Sequence, residues 1–247
     1  MANKWLCLVL FSACLLDGHD RLYAETAPYN SRDLDIDFEE DSAPKLKVSD
    51  PLQKFNRPMD RFNRWLLRTV RPVTNAYERK VPQGARTGIG NFFNNLTAPL
   101  DIVNCGLQGK GKKCLQQTGR FLFNSTVGLA GIFDVSRSEL KIPQHKEDFG
   151  QTLGHYGVKP GPYLNVPFLG PFMTRDLICL PLDWSLDLDS WLFPHNPPVG
   201  YGLTGVEVTN KTTQIQKQLI SVEKDSLDPY TYVRDAFWQM REAKVKE

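Results

Sequence analysis

The sequence has no apolar run of spanning length, little cysteine and almost no net charge, and each shortage removes a class of protein. A bilayer-spanning helix needs about 20 consecutive apolar residues. The longest such stretch, Trp5 to Leu16, is shorter and is interrupted by Ser12. The five cysteines, Cys7, Cys14, Cys105, Cys114 and Cys179, show no metal-ligand spacing, so a zinc framework is excluded. With 30 basic and 28 acidic residues, the formal charge is +2, and nothing in that balance demands a nucleic acid. Catalytic signatures are missing too. There is no G-x-S-x-G elbow, and His145-Lys146-Glu147-Asp148 is not H-E-x-x-H. His155, between Gly154 and Tyr156, reads as a hydrogen-bonded structural residue rather than a general base. No cofactor is called for.

What is present begins with a leader. Lys4 precedes the short apolar run, and polar sequence follows it, the pattern of a secretory signal over residues 1–24. Phe11-Ser12-Ala13-Cys14 resembles a lipobox with Phe in place of the usual Leu, which makes Cys14 a lipid-attachment candidate. Leu22-Tyr23-Ala24 is the competing cleavage site. An acidic segment follows over residues 25–49, with Asp33, Asp35, Asp37, Glu39, Glu40 and Asp41 and few large apolar groups. Such a stretch buries too little surface to offset its ordering entropy and reads as a tether. In an oxidising compartment Cys105 and Cys114 could pair, or remain as buried thiols.

Residues 50–247 read as one helical body. Asp50-Pro51 is a cap-and-first-turn signal, and Asn56 before Pro58 is a second candidate cap. Met59, Phe62 and Leu66 then recur at helical spacing, and Arg57, Arg61, Arg64 and Arg68 recur on the opposite side. This basic amphipathic helix suits a lipid interface, although most amphipathic helices pack on a core. Ile89, Phe92, Phe93 and Leu96 mark another apolar face, as do Leu115, Thr118 and Leu122. Phe149 to Pro171 combines five glycines and four prolines with Tyr156, Tyr163 and Phe168, and is expected to be ordered and irregular. Val208, Thr212, Ile215, Leu219 and Val222 mark a C-terminal helix, and Asp228-Pro229 opens the last one. No strand alternation is strong enough to build a sheet.

These blocks, taken in order, resemble the MlaA (VacJ) family. They include Asp50-Pro51-Leu52-Gln53-Lys54-Phe55-Asn56-Arg57, Arg71-Pro72-Val73, Asn124-Ser125, Phe149-Gly150-Gln151-Thr152-Leu153-Gly154-His155-Tyr156-Gly157 and Asp228-Pro229-Tyr230. The resemblance runs from Asp50 to Arg241. It implies an all-α fold: short amphipathic helices in a ring-like body seated in the inner leaflet of the outer membrane, an irregular Gly/Pro-rich segment and C-terminal helices. It further implies an amphipathic channel that takes misplaced phospholipid from the outer leaflet to a periplasmic carrier like MlaC, beside a trimeric porin. On this reading the Arg57–Arg68 helix lies at the membrane interface, and Tyr156, Tyr163 and Phe168 are candidates for the channel wall or its support. Two other classes compete: a structural adaptor anchoring a porin-associated complex, and a phospholipase.

Overall fold

The computed structural model describes Val48, residues 50–188 and residues 197–247. The leader, Cys14 and nearly all of the acidic tether lie outside the described residues. The order of elements is α1 (Gln53–Lys80), α2 (Gln83–Leu96), α3 (Ala98–Leu107), α4 (Gly111–Thr126), α5 (Val135–Ser138), α6 (Phe149–His155), β1 (Tyr163–Val166), β2 (Gly170–Met173), α7 (Thr174–Leu186), α8 (Pro197–Asp225) and α9 (Pro229–Lys246). The fold is mostly helical, and no described helix is long and apolar enough to cross a membrane.

One expectation fails. A two-stranded antiparallel hairpin pairs Tyr163 with Met173 and Val166 with Gly170. Its sequence hides it because Gly170, Pro171, Phe172 and Met173 are all buried, so β2 has no alternation to read. In β1 the inward positions are Tyr163 and Asn165, one of them polar. The segment expected to be irregular thus opens with α6 and closes with this hairpin.

Helix α1 explains how a hairpin with a polar inward residue is held. Its buried face carries Asn56, Asp60 and Asn63, spaced one helical turn apart. The Asn56 side chain donates to the Tyr163 carbonyl at 2.9 Å and accepts from the Asn165 N–H at 2.9 Å. The Asn63 side chain donates to the Val166 carbonyl at 2.9 Å and accepts from the Phe168 N–H at 2.8 Å. Two side-chain amides therefore replace a neighbouring strand, and Asn63 also holds Phe168 in its left-handed conformation at φ 72°. Asn56 is consequently not a helix cap, and Pro58 sits inside α1 instead of restarting it. Asp50 does not cap either. It accepts from Asn56, Tyr230 and Arg234.

Two regions pack differently. Around the hairpin, Tyr163, Met173, Tyr230 and Phe237 form an apolar cluster, with Trp238 and Met240 against it. Beneath it, Arg241 is fully enclosed. Its guanidinium donates to both oxygens of Asp148 at 2.7 and 3.0 Å and to Asp176 at 2.9 Å. Two carboxylates raise its already high pKa against the opposing effect of burial. Asp148 also caps α6 through the Gln151 N–H. A Cβ at Gly150 would lie 2.3 Å from the Asp176 carboxylate, so only glycine lets α6 approach this cluster.

Candidate functional site

Helix α4 is built inside out. Its buried residues are Gln117, Arg120 and Asn124, all polar and on one face. Arg120 donates to Asp134 at 2.8 Å and to the Ile142 carbonyl at 2.7 Å, and Asn124 donates to the other Asp134 oxygen at 3.0 Å. Gln117 donates to the His145 carbonyl at 2.6 Å and accepts from the His145 N–H. The opposite face presents Leu115 and Leu122, 76% and 56% exposed. Phe123 and Val127 extend that surface. Beyond the helix, Leu129, Ala130 and Gly131 all have positive φ, at 51°, 58° and 93°. Gly131 is packed so closely on Asn95 that a Cβ there would stand 2.4 Å from it. Left-handed backbone costs a non-glycine residue about 1–2 kcal/mol, and here it displays Leu129, Ile132 and Phe133 outward. A contiguous apolar surface of this kind is unfavourable in water and favourable against acyl chains.

The second feature is a cavity of about 80 Å³ between α1, β2, α8 and α9. A single water needs about 10–15 Å³, so the space takes more than one. One wall is largely apolar, with Leu219, Ile220 and Val222 of α8 and Val233 of α9 beside Thr212 and Gln216. The facing wall is the arginine stripe of α1: Arg64, Arg68 and Arg71. Arg64 pairs with Asp60 at 2.6 Å, and Arg68 reaches across to Glu223. Burial pushes the Asp60 carboxyl above the usual carboxylate range, and Arg64 opposes that shift.

The residues singled out in the sequence fall in different places. Arg57 forms a two-pronged pair with Asp228 at 3.1 and 2.7 Å and lies 4.6 Å from the Tyr230 ring. Arg61 is exposed. Arg64 and Arg68 line the cavity. Met59 and Phe62 are half-buried, with Phe62 edge-on to Phe168 at 5.0 Å. Leu66 does not face outward. It is buried against Val208 and Phe168 in the core, because α1 leans its Leu66 side on α8. Tyr163 likewise belongs to the apolar core and not to a wall. Tyr156 is exposed and its hydroxyl donates to the Leu107 carbonyl, joining the ends of α6 and α3. None of Tyr156, Tyr163 and Phe168 lines the cavity. Glu223 escaped the sequence reading, and Arg71 entered it only through its motif with Pro72 and Val73, although it extends the Arg64–Arg68 spacing by one more turn.

Three thiols lie among the described residues. Cys105 and Cys179 are buried, Cys114 is half-buried, and none is bridged. Burial pushes the Cys105 thiol up to about 12. His155 is exposed, and its ring stands nearly perpendicular to that of Tyr156, 5.4 Å away centre to centre.

Polar groups paired on the inner face of α4, apolar side chains displayed on its outer face and a cavity of mixed character define a helical protein of the lipid–water boundary. Comparison with known proteins gives that class a family. Residues 48–244 match the MlaA lipoprotein family, and the chain belongs to it. It is 38% identical over 195 residues to the intermembrane phospholipid transport system lipoprotein MlaA of Escherichia coli (strain K12), covering 77% of this chain and 76% of that protein. It is 34% identical over 202 residues to an uncharacterized protein of Rickettsia felis, covering 81% and 80%. A structure solved to explain maintenance of bacterial outer membrane lipid asymmetry superposes with a TM-score of 0.66 at 33% identity. That likeness covers 80% of this chain and 99% of the solved one.

Proposed function

We propose that this protein removes phospholipid misplaced in the outer leaflet of the outer membrane, through its amphipathic interior, and passes it toward a soluble periplasmic carrier. Lipid asymmetry would thereby be maintained. The observation that carries this reading is the inverted polarity of α4, with Gln117, Arg120 and Asn124 inside and Leu115 and Leu122 outside. A body with that polarity sits in hydrocarbon while offering a polar route, without which moving a charged headgroup through an apolar medium would be prohibitive. The family relative of E. coli, named for intermembrane phospholipid transport, supports the same reading.

The finer points belong to the proposal. Residues 1–24 hold the export leader, cleaved before Cys14; residues 25–49 act as a tether and residues 50–247 as the working body. Cys14 carries the lipid anchor. The body rests in the inner leaflet on the periplasmic side, next to a trimeric porin, and delivers to a carrier of the MlaC kind. Along α1, Phe62 and Met59 approach the lipid-facing rim. No covalent change to the lipid is part of this scheme.

The test is a deletion strain complemented with this chain, read by an outer-membrane enzyme that acylates lipid A from outer-leaflet phospholipid. Restored low acylation is expected. Unchanged acylation, with the protein in the outer membrane and compatible Mla partners present, would count against lipid removal. Purified protein that carries no phospholipid by mass spectrometry would favour the adaptor role instead.

A further inference from the structure

We propose that Arg64, Arg68 and Arg71 of α1 form a binding station for the phosphate of a phospholipid headgroup, gated by Glu223. This assignment rests on the transport reading and adds a ligand group and named residues to it. The three arginines stand at i, i+4 and i+7 on one stripe of α1, all in the wall of the same cavity. Their charges are not balanced there, since only Asp60 and Glu223 among the lining residues are acidic.

The donors are also not fully used. Arg71 makes no ion pair among the described residues, and the buried Arg64 Nε has no hydrogen-bond partner. Among the described residues Arg68 pairs with Glu223 alone, their side chains 63% and 28% exposed. An exposed pair of that kind contributes little to stability and exchanges readily for another anion. A phosphate entering the cavity finds a planar donor fork at Arg71, an unspent N–H at Arg64, and a guanidinium at Arg68 held by a displaceable carboxylate.

The opposite wall says what the phosphate is attached to. Leu219, Ile220, Val222 and Val233 give a free inorganic anion nothing, but they shield the first carbons of acyl chains. The cavity is too small for whole acyl chains, so it holds the lipid by its neck while the tails lie elsewhere. Glu223 sits on the apolar side of this gap and crosses it to Arg68. Empty, the site is closed by that pair; loaded, phosphate replaces the carboxylate.

The experiment uses the full chain purified in non-ionic detergent and three probes: dihexanoyl phosphatidylglycerol, dihexanoylglycerol and glycerol phosphate. The phospholipid should bind at least about tenfold more tightly than either fragment, since each lacks one half of the recognition. Arg71→Gln should weaken phospholipid binding about tenfold, the loss of one charge-assisted contact. Glu223→Gln should tighten it by about threefold, because the competing carboxylate is gone. A merely structural Arg68–Glu223 pair would not yield that gain. The proposal is overturned if Arg71→Gln and Glu223→Gln both leave affinity unchanged, or if glycerol phosphate binds as well as the lipid. Wild-type failure in the acylation assay would bring down the transport reading by itself. A complementing wild type alongside an Arg71→Gln variant that binds and complements equally would bring down only this site.

Discussion

Helices α4 and α9 have opposite interiors. α9 turns Tyr230 and Phe237 into an apolar cluster, while the Tyr230 hydroxyl and Arg234 reach Asp50 and Arg241 reaches Asp148 and Asp176. α4 buries amides and a guanidinium and leaves its leucines outside. Both arrangements leave buried hydrogen-bonding groups paired, but they suit different solvents. Around α9 the hydrophobic effect in water drives packing. Around α4 the apolar face gains nothing from a water-filled environment, and its stability comes from hydrogen bonds in a polar interior. One chain thus carries one region with an apolar interior and another with a polar interior.

The sharpest way to break that comparison is at Arg241. Removing it as Arg241→Ala takes away the guanidinium that Asp148 and Asp176 share, leaving Arg175 as the cation beside Asp176, a loss of about 3–5 kcal/mol, and thermal melts in detergent should show it. On the α4 side, Leu122→Asp should do the reverse. Its melt should stay near wild type, while membrane association weakens by about 2.5–3.5 kcal/mol if the residue sits deep in hydrocarbon. Flotation with vesicles measures this, and full retention would mean that the α4 face is not a membrane face. Gln117→Leu makes α4 more conventional in pattern, yet should destabilise by about 1–3 kcal/mol, because the His145 N–H and carbonyl lose the side chain that pairs them. An increase in stability would refute the inverted interior.

The smallest effect is a pH dependence at the junction of α1 and α9. The hydrogen bond from Arg57 holds the Asp228 carboxyl down to about 2 from its ordinary 3.8. A depressed carboxylate adds stability above its unfolded pKa and loses it as pH falls through the folded one. The contribution is therefore present above about 4 and vanishes toward 2. With both side chains 41% exposed, it should stay below about 1 kcal/mol. Melting midpoints of wild type and Asp228→Asn should differ near neutrality and converge in acid.

The parts legible from periodicity were those where apolar residues face inward. Val208 and Ile215 of α8 and Phe93 and Leu96 of α2 are buried, as their spacing implies. The C-terminal helices and the cavity-lining Leu219 and Val222 follow the same rule. Illegible were residues whose burial depends on a distant partner. Asn56 looks like a cap in a local window, and only Tyr163 and Asn165, more than a hundred positions away, make it a clamp. Leu66 belongs to the same apolar stripe as Phe62, and the approach of α8 alone sends Leu66 into the core.

The amino-acid sequence by itself determined the helical class, the basic stripe on α1 and, through the order of its motifs, the family. Those properties are local, or are carried by residue identity. Tertiary structure alone decided which side of α4 is inside, that two asparagines hold a hairpin, and that Arg64, Arg68 and Arg71 confront an apolar wall. A periodic pattern states that a helix has two faces; it does not say which solvent each face will meet. That choice is made by the hydrogen bonds that Asp134, His145 and Ile142 offer to α4 from elsewhere in the chain.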